Sequence, residues 1–261
     1  GMMRGYHKGH SASPILVGDH VVVGYQKLRA LHKDTGAVAW EGKTFLDYGT
    51  PAHIRVADVD MVATPQGEVY RMSDGAVLTE DLGDVWHCGP VVDGEVLYYV
   101  GSGLGRIGAK GSAADASKSK GKARAIRLKL DADKLAFETL WETAVEPGDY
   151  YASPVLSGGI LYSISIAGVL TALDSRTGKI HYRKVLEPLG RVFASPAIAG
   201  DLVHIFGPSG KTWAIRTGPE GHVHAEGQIG AKLDYRVWSS PYFEGASVYI
   251  REREHLYRFG E

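Results

Sequence analysis

SPVLSGGILYSISIAGVLTALDSRTGKIHY, residues 153–182, is the stretch whose reading decides the fold. It opens on Ser153-Pro154, a small residue before a proline. Val155-Leu156 leads into the turn Ser157-Gly158-Gly159, and the apolar run Ile160-Leu161-Tyr162 leaves it. Glycine adopts positive φ without steric cost, so such a turn between apolar runs reads as a tight hairpin. A third run ends in Ala172-Leu173 and meets Asp174-Ser175-Arg176-Thr177-Gly178. There the Asp carboxylate can bond backbone N–H groups, and Gly again supplies positive φ. A fourth run closes on the aromatic Tyr182. Four short runs without a 3.6-residue period predict an antiparallel sheet.

The same unit recurs outward in both directions. Small-residue–Pro steps stand at Ser13-Pro14, Thr50-Pro51, Gly89-Pro90, Ser195-Pro196 and Ser240-Pro241 as well, with successive prolines 37, 39, 64, 42 and 45 residues apart. Five of the six units share the following turn: Val17-Gly18-Asp19, Val92-Asp93-Gly94, Ser157-Gly158-Gly159, Ala199-Gly200-Asp201 and Phe243-Glu244-Gly245. The second unit has Ala57-Asp58 there, without Gly. Trp40 and Trp141 close other units as Tyr182 does. Proline fits the first residue of a strand, which need not donate to the ladder. Four strands per unit of about 40 residues is the size of a propeller blade. The expectation is an all-β chain: one domain over residues 1–261, a β-propeller of about six four-stranded blades, with a Lys-rich loop insertion at about 106–124. The last unit, Pro241 to Glu261, has room for three strands. Residues around Met2 to Tyr6 are read as the missing strand, closing the ring and removing an exposed sheet edge. The alternative is a larger propeller with further blades upstream.

Composition narrows the function classes. With 29 Lys and Arg against 30 Asp and Glu, the net charge is −1, which offers no bulk attraction to nucleic acid or anionic membrane. A single cysteine, Cys88, excludes an intrachain disulfide framework and a multi-Cys zinc site. No run of 18 apolar residues provides a membrane-spanning helix. The opening GMMRGYHKGH has no apolar core of a signal peptide.

The run Leu170-Thr171-Ala172-Leu173-Asp174-Ser175-Arg176-Thr177-Gly178-Lys179, with its Ser-Pro openings, resembles the repeat of pyrroloquinoline-quinone (PQQ) enzymes, and bacterial PQQ-like proteins most closely. The likeness covers almost the whole chain outside the Lys-rich insert. It implies the architecture, while many proteins with this repeat, outer-membrane assembly lipoproteins among them, bind no quinone. Quinoprotein dehydrogenases resemble one another in eight blades and an adjacent cysteine pair beside the cofactor, which one cysteine cannot supply. No residues here match their calcium ligands. PQQ with Ca²⁺ is therefore a disfavoured cofactor, and no other is assigned. The likeness implies an exported bacterial protein, periplasmic or extracellular.

In a propeller, each loop from an outer strand to the next inner strand opens on one face near the axis. Three residues before each proline stand Ser11, Tyr48, His87, Tyr151, Phe193 and Trp238. Beside them are His10, Trp86, Asp149, Tyr150, Arg191 and Arg236, the two arginines both five before Pro. Rings with two Arg and a carboxylate suit stacking and hydrogen bonding of a planar or anionic ligand, or a peptide. The plainer reading is that the rings pack between blades and the arginines pair with Asp149 and Asp234.

No catalytic or metal constellation accompanies them. Neighbours on a strand point to opposite faces, so His87 and Cys88 are poorly placed as base and nucleophile. Gly101-Ser102-Gly103-Leu104-Gly105 lacks the Gly-Lys-Ser/Thr of a phosphate loop. His222 and His224 share a strand face, two ligands where a site needs three or four. Asp58 and Asp60 read as solvated. No aromatic residue interleaves the basic run Lys110 to Lys129, which argues against a nucleic-acid partner. The expected function is a non-catalytic scaffold binding a protein or small-molecule ligand at the axial face. The alternative is a quinone-dependent oxidoreductase, or another propeller enzyme, acting there through Arg191, Arg236, His87 and Asp149.

Overall fold

The computed structural model describes residues 12–44, 46, 48–80, 82–83, 85, 87–102, 121–132, 134–187, 190–229, 237–252 and 255–260. The expected closing strand near Met2 to Tyr6 and most of the Lys-rich insert lie outside them. Sheet one is β1 (Ile15–Val17), β2 (His20–Tyr25), β3 (Lys27–His32) and β4 (Val38–Glu41). Sheet two is β5 (Ala52–Val56), β6 (Val59–Ala63), β7 (Val69–Arg71) and β8 (Val77–Thr79). Sheet three is β9 (Val91–Asp93), β10 (Val96–Gly101), β11 (Lys122–Asp131) and β12 (Lys134–Ala144). Sheet four is β13 (Val155–Ser157), β14 (Ile160–Ile164), β15 (Val169–Asp174) and β16 (Ile180–Val185). Sheet five is β17 (Ala197–Ala199), β18 (Leu202–Phe206), β19 (Lys211–Arg216) and β20 (Val223–Gln228). Sheet six has three strands among the described residues: β21 (Tyr242–Glu244), β22 (Ser247–Arg251) and β23 (Leu256–Phe259).

Each sheet is an antiparallel meander in chain order, and the six form a β-propeller. The first turn of each sheet needs positive φ. Gly18 and Gly200 supply it at 57° and 59°, whereas sheet two strains Ala57 and Asp58 to 45° and 63°.

Inner-strand alternation seals each sheet to its neighbours. The residue after Pro faces the following sheet: Ile15 packs on the cluster shared with Val62 and Tyr70, and Val155 on that of Val203 and Ile205. The second residue after Pro faces the preceding sheet: Leu156 joins the cluster of Leu97 and Ile126, and the Phe243 ring lies 4.7 Å from that of His204.

Two further ties repeat. The aromatics Trp40, Trp141 and Tyr182, which close β4, β12 and β16, each lie on a turn glycine of the next sheet. Trp40 Nε1 donates to Met72 O at 2.7 Å and Trp141 Nε1 to Ser175 O at 2.9 Å. A Cβ on Gly178 would fall 2.5 Å from Trp141 Cε3, and one on Gly221 would fall 2.7 Å from Tyr182 Cζ. Only glycine permits this approach. The residue before each proline forms the second tie. Ser13 N–H donates to Thr50 Oγ1 (2.9 Å), Gly89 N–H to Ser153 Oγ (2.8 Å), Ser153 N–H to Ser195 Oγ (2.9 Å) and Ser195 N–H to Ser240 Oγ (3.0 Å). Gly89 has no hydroxyl for Thr50, and a Cβ there would sit 2.3 Å from Thr50 O.

Lys122, Ala123 and Arg124, at the end of the expected 106–124 insertion, belong to β11. Arg124 is buried, donating to Glu142 Oε2 at 2.6 Å and to Leu82 O at 3.1 Å. Lys129, counted with the basic run, pairs with Glu138 at 3.7 Å. Bonds of this kind keep a buried guanidinium in the sheet instead of the loop.

Candidate functional site

The loops into the inner strands alternate as strands do. Before sheets four and five the residue four before Pro is buried and the one three before Pro is half-buried. Tyr150 and Val192 are the inward residues, at 2% and 0% exposure, and Val237 is their counterpart before sheet six, at 0%. Backbone bonds pin these loops to the second hairpin turn of the preceding sheet. Val192 N–H donates to Ile166 O at 3.0 Å, Val237 N–H to Pro208 O at 3.1 Å and Val85 N–H to Pro65 O at 3.0 Å. Ile166 N–H in turn donates to Asp149 O at 2.9 Å. The roots of the Lys-rich insert, Ser102 and Gly121, join β10 to β11 where these hairpin turns join the corresponding strands.

Five of the expected face residues meet in one unbroken arc. Ring centroids lie 5.0 Å apart for Tyr48 and His87, and 4.4 Å for His87 and Tyr151, which stack at 18°. Tyr151 and Phe193 follow at 5.2 Å, then Phe193 and Trp238 at 5.8 Å. Each ring comes from a different inter-sheet loop, so one column of the repeat becomes one continuous surface. Tyr48, His87, Tyr151 and Phe193 are half-buried, while Trp238 at the end is 64% exposed. The rings pack on one another, as the plainer sequence reading has it.

Charge is arranged beside the arc. Arg191 is exposed, its guanidinium carbon 5.7 Å from the Phe193 centroid, and among the described residues it makes no ion pair. Burial first, and then the Asp149 carboxylate, push the Tyr151 phenol above its ordinary range, while Arg191 pulls it down. Tyr150 is a correction: it is buried, its hydroxyl donates to Glu146 O at 2.9 Å, and it anchors the loop from inside. Its place in the inward column, shared with Val192, is the reason. His10, Trp86 and Arg236 lie outside the described residues, as do Ser11 and Asp234.

The other candidates disperse. Cys88 is fully buried, its thiol donates to Val100 O at 3.0 Å, and burial pushes it up to about 12, far from a nucleophile's range. His222 lies before β20 and bonds Glu220 at 2.5 Å, while His224 Nδ1 stands 3.5 Å from Arg216 Nη2. Asp60 bonds His53 at 2.8 Å, and Asp58 bonds Arg55 at 3.3 Å. Sequence reasoning missed the hairpin turns that hold the face. Their signal is a glycine two residues on, in Pro65-Gln66-Gly67, Ile166-Ala167-Gly168 and Pro208-Ser209-Gly210.

The family model described as outer membrane protein assembly factor BamB matches residues 132–257. No curated protein sequence matches the chain. Among solved structures, BamB from Moraxella catarrhalis is similar with a TM-score of 0.63 at 14% identity, over 94% of this chain and 67% of that one. The Cps50 (Swd1) β-propeller domain of Myceliophteria thermophila gives 0.61 at 13%, over 98% and 83%. Sqt1 of Saccharomyces cerevisiae gives 0.60 at 9%, over 92% and 79%. At such identities the likeness is one of fold.

Proposed function

Since the chain is a β-propeller of PQQ-like repeats, we propose that it is a non-catalytic binding scaffold whose axial face takes a protein or small-molecule ligand. The arc from Tyr48 to Trp238, with the Arg191 cation beside it, is the observation that carries the reading. Aromatic rings offer large contact area with little rotamer entropy to lose, and Arg adds directional donors. A cation unconsumed by Asp149 is available to a carboxylate or backbone carbonyl of a ligand. The match to an assembly-factor family supports a polypeptide ligand over a small one.

Panning the full chain against a displayed random peptide library tests this. Enriched peptides should lose at least about tenfold in affinity, or roughly 1.4 kcal/mol, in each of Arg191→Ala and Trp238→Ala. They should be indifferent to Phe137→Ala on the outer strand of sheet three. Peptides that bind both face variants unchanged would place the binding surface elsewhere. A saturable rise in melting temperature with PQQ and Ca²⁺, lost in Arg191→Ala, would favour the quinone alternative.

A further inference from the structure

Among the outer strands of the four-stranded sheets, β4, β8, β16 and β20 run for 4, 3, 6 and 6 residues, whereas β12 runs for 11. It is the edge of sheet three, with β11 its one neighbour in that sheet. β10 begins at Val96, opposite Arg127, but β11 and β12 run on together, from Leu128 opposite Phe137 to Asp131 opposite Lys134. This ribbon projects about 13 Å past the end of β10 at the usual rise per residue. Leu128, Leu130, Leu135 and Phe137 share one face of it, and Phe137 is 39% exposed. The direction of its backbone groups follows from alternation. Leu128 N–H donates to Glu95 O at 2.9 Å, on the side away from β12. Its partner Phe137, and Leu135 two residues before, therefore turn their N–H and C=O away from β11, toward the free edge.

We infer that this edge pairs with the same edge of a second copy of the chain, antiparallel about Ala136. The stretch Lys134-Leu135-Ala136-Phe137-Glu138 is complementary to itself when reversed. Lys134 then meets the copy's Glu138, Leu135 meets the copy's Phe137, and Ala136 meets Ala136. Leu135 and Phe137 are also the residues whose N–H and C=O reach the edge, so their pair exchanges both backbone bonds and the two-fold axis repeats them. Lys134 and Glu138 are exposed, and Glu138 already stands 3.7 Å from Lys129 within its own ribbon. In the pair its carboxylate lies between two cations, where opposite charges across strands are favourable. β16 is the contrast: it carries Arg183 and Lys184 without an acid, so two copies repel along it. A long edge with unpaired backbone groups is a template for such pairing. The contact is isologous and closes at two chains. It forms beyond the end of β10, which keeps the other sheets of the two copies apart.

Sedimentation velocity of the full chain from micromolar to millimolar concentration tests it. The expected result is a monomer–dimer equilibrium without larger species. Lys134→Glu should weaken it at least about tenfold, and Glu138→Lys likewise, because each sets like charges opposite one another. Both positions are exposed, and circular dichroism checks that the variants are folded. Mixing the two variants should restore the dimer, since every facing pair is then of opposite charge. Ala136→Cys gives a second readout. A pair of this kind without backbone bonds holds its Cα atoms about 4.5 Å apart, within disulfide reach. Oxidation should therefore link that variant in twos and leave Ala144→Cys single, Cys88 being buried and silent. A monomer at every concentration overturns the inference. So does a dimer indifferent to both charge reversals, or one that their mixture fails to restore.

Discussion

Replacing Trp141 by Phe removes the indole N–H that donates to Ser175 O at 2.9 Å, yet leaves an aromatic ring over Gly178. The lost bond is worth about 1 kcal/mol, and the Ser175 carbonyl is left facing a space that water does not reach. The missing five-membered portion opens a small void at a contact built to within 2.5 Å of a would-be Cβ, adding about 1–2 kcal/mol. The expected loss is about 2–3 kcal/mol, which for a domain of this size lowers the melting temperature by about 4–10 °C. Tyr182 is the internal control. It occupies the same position over Gly221, but its hydroxyl is buried without a partner. Tyr182→Phe removes only that unpaired group, so stability should hold within about 0.5 kcal/mol or rise. Urea and thermal unfolding followed by circular dichroism measure both. Equal losses for the two variants, or a Trp141→Phe loss under about 0.5 kcal/mol, would refute the docking account.

Three other outcomes are expected. Gly89→Ala drives a Cβ to 2.3 Å from Thr50 O and should cost about 2–4 kcal/mol in urea unfolding, whereas Gly94→Ala, with open space and φ of 56°, should cost only the left-handed penalty of about 1–2 kcal/mol. Cys88, its thiol pushed up to about 12, should resist Ellman's reagent in the native protein at mildly alkaline pH and react in full once urea unfolds the chain; rapid native labelling would contradict its burial. His204 has its pKa lowered by burial and then by His224, so folding favours the neutral ring. Its contribution is complete above the ordinary value of 6.5 and is lost as pH falls toward the depressed folded value, a slope that His204→Gln should flatten in unfolding midpoints measured against pH.

Much of this architecture is legible in the sequence because its determinants are local. Gly18, Gly158 and Gly200 mark hairpins that follow from backbone sterics alone, and Pro14, Pro154 and Pro196 mark strand starts. The column of touching rings was legible for the same reason, since one repeat position maps to one place in each sheet. What escaped is what depends on the next unit. The role of Ser195 as acceptor for Ser153 N–H, or of Gly178 beneath Trp141, joins residues 42 and 37 positions apart, and no window of one sheet reveals it. Tyr150 was misread because a column beside the face and a column beneath it differ by one residue, and a one-residue step reverses direction. Arg124 was read as loop because composition in a Lys-rich run conceals the Glu142 partner awaiting it across the strand pair.

The hydroxyl tie and the aromatic-on-glycine contact use the same repeat positions at each boundary where they occur. An interface written in repeat coordinates has no individual partners to match, so one unit can follow another without new chemistry. Gene duplication can then lengthen such a chain in single steps, each added unit bringing both halves of the next boundary with it.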